Sequence, residues 1–147
     1  MLEHLRVLDL TGGSEQICGQ ILGDLGADVF LLEPPSGARS RAWAPFAGGE
    51  KGIETSLTFW AYNRNKRGAV LDIEVEEGQQ LLRELVKSAD ILIESFAPSH
   101  MASLGLGYDV LAAINPRLVV VSISPFGQTG PKAHWPASDL TDRKSVV

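Results

Sequence analysis

The chain has 147 residues, 44% of them hydrophobic and 21% charged, with a formal net charge of −5. This length and balance suit one domain with a moderate core and exclude a disordered chain. Acids and bases are mixed along the sequence, so no basic footprint for nucleic acid and no polybasic membrane patch is present. Local basic clusters remain available for an anionic ligand.

Cys18 is the single cysteine, which excludes an internal disulfide and a cysteine-based metal site. A lone thiol fits a reducing compartment. The opening "MLEHLRVLDL" has no long apolar run behind a basic flank, so no signal peptide is expected. The longest apolar run, "LVVVSIS", is far too short to span a bilayer. Together these predict a soluble, cytoplasmic protein.

In chain order, "RVLDL" (6–10) reads as a strand. "QICGQILGDLG" (16–26) reads as a helix with Ile17, Ile21, Leu22 and Leu25 on one face, and Gly26 suits its C-terminal cap. "DVFLLE" (28–33) is a second strand. Residues 34–55 hold three prolines and four glycines, which marks a long loop, and long loops inside compact domains are often functional.

"SLTFWAYNRN" (56–65) predicts a short helix and "AVLDI" (69–73) a third strand. "EEGQQLLRELVKSA" (76–89) is the clearest helix, with Leu81, Leu82, Leu85, Val86 and Ala89 as its apolar stripe. Glu76 and Glu77 at its start and Lys87 at its end suit the helix dipole. "DILIES" (90–95) is a fourth strand, residues 98–115 are two helical pieces broken around Gly105 and Gly107, and "LVVVSIS" (118–124) is a fifth strand.

Several strands are continuously apolar instead of alternating. That means burial on both faces, as in parallel sheets covered by helices. The expected fold is therefore α/β: a doubly wound, mostly parallel, Rossmann-like sheet of five or six strands. Ligands of such sheets sit beyond the carboxyl ends of the strands, here "TGGSEQ", "EPPSGARSR", "ESFAPS" and "SPFGQTGP".

Thr11-Gly12-Gly13 after the first strand and Glu33 at the end of the second have the outline of a dinucleotide fingerprint. The required G-x-G-x-x-G is absent, and a tight strand-to-helix turn explains the glycines equally well. "NRNKRGAVLDI" carries Arg64, Lys66 and Arg67 within four residues. Arginine forks and lysine point charges suit phosphate oxygens, although an isolated cluster of this kind is more often a solvated face. Arg39 and Arg41 in the long loop would add to the same field. Phe96 is either core or one wall of a pocket for a planar ring. His4, His100 and His134 lack metal-ligand spacing. His134 and Asp139 are candidate acid–base residues. Neither a G-x-S-x-G elbow nor a P-loop occurs.

The segments "VLDLTGG…GQILGDLGADVFLLEPPSG", "NRNKRGAVLDI…EEGQQLLRELVKSADILIESFAPS", "LGLGYDVLAAINPRLVVVSISPFGQTGP" and "HWPASDL" resemble the amino-terminal region of the class III coenzyme A-transferases. That family includes formyl-CoA and carnitine-CoA transferases and α-methylacyl-CoA racemases. The resemblance implies transfer of coenzyme A from an acyl-CoA donor to a carboxylic acid acceptor. The coenzyme A thioester is then a substrate, and no prosthetic group is expected. An aspartate carboxylate attacks the thioester, giving a mixed anhydride and then an enzyme-bound thioester. The family's subunits are much longer and interlock as ring-like homodimers.

By position, the resemblance implies that Asn65, Lys66 and Arg67 approach the coenzyme A nucleotide. Leu71 and Asp72 line its adenine end, and Ser95 and Phe96 form a further contact. Three departures from the family pattern stand out. Ser14-Glu15-Gln16 replaces a common A-G-P, Pro34 replaces a basic residue of some members, and Ser138 replaces the histidine of racemases, which argues against a racemase. Residues 1–140 are expected to belong to the family's large domain, with 141–147, "TDRKSVV", a divergent tail. Neither Asp139 nor Asp142 matches the family's nucleophile, so the chain is expected to be an inactive fragment without a catalytic residue. Two alternatives remain: a non-catalytic coenzyme A or nucleotide-binding module, and a dinucleotide-dependent oxidoreductase domain.

Overall fold

The computed structural model describes residues 1–137. Five strands form one sheet: β1 (Arg6–Asp9), β2 (Asp28–Glu33), β3 (Arg67–Val70), β4 (Ile91–Glu94) and β5 (Val119–Ser122). Their order across the sheet is β3-β2-β1-β4-β5, and every neighbouring pair is parallel. Helices α1 (Gln16–Asp24), α2 (Leu57–Asn63), α3 (Glu76–Val86), α4 (His100–Ser103) and α5 (Tyr108–Ile114) fill the connections. The doubly wound α/β expectation is met, with five strands. The order reverses between β1 and β4, the kind of switch point at which such sheets open a crevice.

The helices divide between the two faces. On one, α3, α4 and α5 pack on Leu8, Leu32 and Leu92 through Leu82, Val86, Met101 and Leu111, with Leu106 added from the loop between α4 and α5. On the other, α1 covers Val7, Val29 and Ile93 through Cys18 and Leu22. Central β1 is thus apolar on both faces, which its continuous run predicts.

Local signals account for most boundaries. Gly26 takes φ 103° after α1, a conformation that suits glycine. The Ser56 hydroxyl accepts the Phe59 amide at 3.1 Å and caps α2. Two elements differ from the sequence expectation. The third strand ends at Val70 instead of running to Ile73. The Leu71 amide donates to the Glu33 carbonyl at 2.7 Å as the last sheet bond, and Asp72 Oδ1 then accepts the Glu74 amide at 3.0 Å, closing a side-chain turn.

The second difference is the rotation of α1. Ile17 and Ile21 are 47% and 52% exposed, and Leu25 is exposed too, while Gln16 and Gly19 are buried. Of the expected apolar face only Leu22 packs inward. The cause is Asp9 beneath the helix: a Cβ on Gly19 would lie 2.2 Å from Asp9 Oδ2. Glycine at this point lets α1 approach the carboxylate, and that contact overrides the apolar periodicity.

Candidate functional site at the strand tips

A cavity of 380 Å³ opens at the carboxyl ends of β1 to β4. Each strand contributes the residues just after it. Thr11 and Gly12 follow β1, Ser36 to Arg39 follow β2, Leu71 to Glu74 follow β3, and Ser95 and Phe96 follow β4. This is where the topology predicts a ligand.

Its walls are held by buried polar contacts. Asp9 Oδ1 accepts from the Thr11 amide at 2.9 Å and the Thr11 hydroxyl at 2.5 Å. Buried Gln16 donates to the Thr11 carbonyl at 3.2 Å, and its Oε1 accepts from Ser40 Oγ at 2.6 Å and Asn63 Nδ2 at 3.0 Å. The Ser40 amide donates to the Gly12 carbonyl at 2.9 Å. These bonds tie the first turn to the long loop. Unsatisfied polar groups at such depth would be costly, so the network specifies one loop arrangement.

A second clasp fixes the loop after β2. Arg41 donates through Nε to Glu33 Oε2 at 2.6 Å and through Nη2 to Oε1 at 2.7 Å, a bidentate pair. The Ala38 amide adds a bond to Glu33 Oε2 at 2.8 Å, and the guanidinium sits 3.7 Å from the Phe59 ring centroid. Burial pushes the Glu33 carboxyl up, but the Arg41 and Ala38 hydrogen bonds and the Arg41 charge outweigh it and hold it below its ordinary value. Arg41 is raised, first by its bond to Glu33.

On the β4 side the Phe96 amide donates to Glu94 Oε2 at 2.8 Å. The Phe96 ring is half-buried against the core and lies 5.1 Å from the His100 ring. His100 Nε2 is 3.0 Å from Glu74 Oε1, which joins this wall to the loop after β3.

The structure therefore brings Leu71, Asp72, Ser95 and Phe96 to one cavity. Asn65, Lys66 and Arg67 are not among its lining residues. Asn65 Nδ2 donates to the Gln20 carbonyl at 3.0 Å and to Asp24 Oδ1 at 2.7 Å. The Lys66 side chain is 1% exposed, and its ammonium donates to Asp9 Oδ2 at 2.8 Å and the Gln16 carbonyl at 2.7 Å. Burial pulls Lys66 below the ordinary lysine range, and the Asp9 charge opposes this. Arg67 pairs with Asp28 and lies over the Phe30 ring at 4.1 Å, at the amino end of the edge strand β3.

Other candidates fall outside the cavity. Arg64 pairs with Asp24 at 2.9 Å. The Cys18 thiol is pushed up by burial and by Asp9, which leaves it a poor nucleophile. His4 and His134 are exposed. Asp139, Asp142, Ser138 and the 141–147 segment lie outside the described residues. Among the described residues no group of three or more His, Cys, Asp or Glu side chains is placed to hold a metal, and no helix is long and apolar enough to cross a membrane. Sequence reasoning missed the role of Gln16. A polar residue on the first turn of a helix carries no periodic signal of burial.

The family model for CoA-transferase family III matches residues 2–145. Succinyl-CoA:(R)-benzylsuccinate CoA-transferase subunit BbsE of Thauera aromatica is 42% identical over 138 residues, which cover 94% of this chain and 34% of that protein. Acetyl-CoA:oxalate CoA-transferase of Acetobacter aceti is 44% identical over 139 residues, covering 93% of this chain and 34% of that protein. Among solved structures, a CAIB/BAIF family protein from Brucella suis superposes with a TM-score of 0.82 at 40% identity, covering 95% of this chain and 37% of that one. Rv3272 from Mycobacterium tuberculosis superposes at 0.83 with 33% identity, covering 96% of this chain and 38% of that one. The chain spans about a third of the length of the curated relatives it matches. With sequence, fold and strand-tip cavity in agreement over nearly the whole chain, it belongs to CoA-transferase family III.

Proposed function

We propose that this chain forms the coenzyme A-holding part of an enzyme that moves coenzyme A from an acyl-CoA to a carboxylic acid. The observation that carries the reading is the 380 Å³ cavity where the tips of β1 to β4 converge, in a chain of this family. Its walls combine apolar surfaces from Leu10, Leu71 and Phe96 with polar groups from Thr11, Asp72 and Ser95. That mixture suits a nucleotide ring and a pantetheine arm. In this reading Leu71 and Asp72 line the adenine end, and Ser95 and Phe96 form the opposite wall. Asn65, Lys66 and Arg67 serve the site indirectly, with Lys66 holding Asp9 and through it the Thr11–Gly12 turn.

The chemistry proposed is covalent catalysis by an aspartate carboxylate that lies outside this chain. The carboxylate attacks the acyl carbonyl, the thioester C–S bond breaks, and coenzyme A leaves as thiolate from a mixed anhydride. The thiolate then attacks the aspartyl carbonyl and releases the donor acid, leaving an enzyme thioester. The acceptor carboxylate attacks that thioester and frees the thiolate again. The thiolate takes the acceptor acyl group from the second anhydride, which regenerates the aspartate. Among the described residues, the cavity carboxylates Asp72 and Glu74 already hold partners. The chain alone is therefore proposed to bind coenzyme A without turning it over. A cytoplasmic setting and an interlocked homodimer of the longer protein belong to the same reading.

Titration calorimetry of the folded chain with coenzyme A and with NAD tests this. Coenzyme A binding with no NAD response is expected. NAD binding in its place, or no binding of coenzyme A, overturns the reading. Intact mass after incubation with an acyl-CoA is expected to show no adduct, and a covalent adduct would place the nucleophile within this chain.

A further inference from the structure

We propose that Arg39 is the residue that receives a phosphate of coenzyme A at the mouth of the strand-tip cavity. This rests on the coenzyme A reading above and deepens it. The charged residues lining the cavity are Arg39, Asp72 and Glu74. Both acids hold partners: Asp72 Oδ1 accepts the Glu74 amide, and Glu74 Oε1 faces His100 Nε2. Arg39 is the cavity's single cation among the described residues. Without it, a polyanionic ligand would meet only carboxylates.

Arg39 also differs from the neighbouring cations. Arg41, partly buried, and Lys66, buried, are held in bidentate or two-acceptor contacts, and Arg64 and Arg67 close onto Asp24 and Asp28. The Arg39 side chain is 68% exposed, and the nearest carboxylate oxygen, Glu15 Oε2, stands 3.9 Å away, beyond hydrogen-bond reach. Arg39 forms only a long ion pair with Glu15, and its planar fork of donors makes no hydrogen bond among the described residues, which leaves it able to capture a phosphate in bidentate fashion.

The base of this side chain is nevertheless fixed. Residue 40 bonds to both sides of the first turn, through its amide to Gly12 and through its hydroxyl to Gln16. The guanidinium lies over the Gly12–Gly13 backbone. A Cβ on Gly12 would come within 3.6 Å of Arg39 Nε, and one on Gly13 within 3.3 Å of Nη2. The two glycines leave the arginine room at the cavity, so a hydrogen-bonded backbone presents there a cation whose only carboxylate neighbour among the described residues is the distant Glu15.

The test compares the wild-type chain with Arg39→Ala and Arg39→Lys by calorimetry, using coenzyme A, 3′-dephospho-coenzyme A and pantetheine. Loss of one charge-assisted contact should weaken coenzyme A about tenfold in Arg39→Ala. The loss should shrink as salt is raised. Arg39→Lys should recover part of the affinity, and pantetheine, which has no phosphate, should bind both variants and wild type alike. If the contact is to the 3′-phosphate, Arg39→Ala leaves 3′-dephospho-coenzyme A unchanged. If it is to the diphosphate, that ligand weakens as well. Either pattern supports the assignment and identifies the phosphate. Unchanged coenzyme A affinity in Arg39→Ala overturns it, as does an equal loss for pantetheine. A wild-type chain that binds no coenzyme A defeats the functional reading first, whereas binding that ignores Arg39→Ala defeats this inference alone.

Discussion

Replacing Asp9 by Asn should destabilise the fold in a way that depends on pH. Asp9 and the Lys66 side chain are almost fully buried, and the ammonium has two acceptors, the Asp9 carboxylate and the Gln16 carbonyl. Asn keeps an oxygen for the Thr11 amide, so the main loss is the negative charge. Breaking one side of a buried pair costs about 3–5 kcal/mol. Lys66 sets a ceiling on this, because it can become neutral. From an ordinary lysine value of about 10.4, neutralisation at about 1.36 kcal/mol per pH unit costs about 4.6 kcal/mol at pH 7 and about 1.9 at pH 9. The sign follows from proton counting. In the variant the unfolded chain binds more protons than the folded one across this range, so stability rises with pH. Urea unfolding followed by tryptophan fluorescence at pH 7 and pH 9 should therefore give a deficit of about 3–4.6 kcal/mol that falls below about 2. Adding Lys66→Met to Asp9→Asn should recover most of the loss. A deficit under about 1 kcal/mol at pH 7, or one equal at both pH values, would refute the buried-charge argument.

Arg41→Ala should cost about 2–3 kcal/mol at neutral pH, since it leaves Glu33 buried and unpaired. Glu33 is held below its ordinary value, so its contribution is complete above about pH 4.3 and drains as pH falls through the lowered value. The Arg41→Ala deficit, read by urea titration, should therefore narrow in acid. A Cβ on Gly78 would lie 1.7 Å from the Asp72 carbonyl oxygen, so Gly78→Ala must displace α3 from the cavity loop. It should cost about 1–3 kcal/mol or more and weaken coenzyme A binding in calorimetry. Ser99 holds φ 69°, and Ser99→Gly should raise stability by about 0.5–1 kcal/mol, measured as a shift in the urea midpoint. Phe96→Ala should weaken coenzyme A by about 1–3 kcal/mol if the ring faces the adenine, and unchanged affinity would remove Phe96 from the site.

Much of this architecture was legible in the residues. The apolar runs around Val7, Val29 and Leu92 lack alternation, which announces parallel strands buried on both faces, whereas the equally apolar run around Val120 lies in a strand that stays partly exposed. Gly26, Ser56 and the Glu76–Glu77 pair mark helix ends through local chemistry that needs no partner far along the chain. Once the sheet is parallel, a cavity beyond its carboxyl ends follows from topology. Leu71, Asp72, Ser95 and Phe96, which the family resemblance assigns to coenzyme A, line that cavity.

Residues 64–67 were harder to place. As a string they are a compact cationic cluster with no stated partner. Their orientation depends on acids 57, 40 and 39 positions away for Lys66, Arg64 and Arg67 respectively. A charge cluster reads the same whether it faces solvent, a phosphate or a buried carboxylate.

Strand and helix identity, the parallel arrangement and the end of the sheet that opens were set by the sequence alone, because they depend on local propensity and on which runs must be buried. The rotation of α1, the inward turn of Lys66 and the exposure of Arg39 beside the cavity were decided only by the tertiary structure. Each depends on what meets a side chain across the sheet, and Coulomb and packing forces act on distance in space, not on separation along the chain.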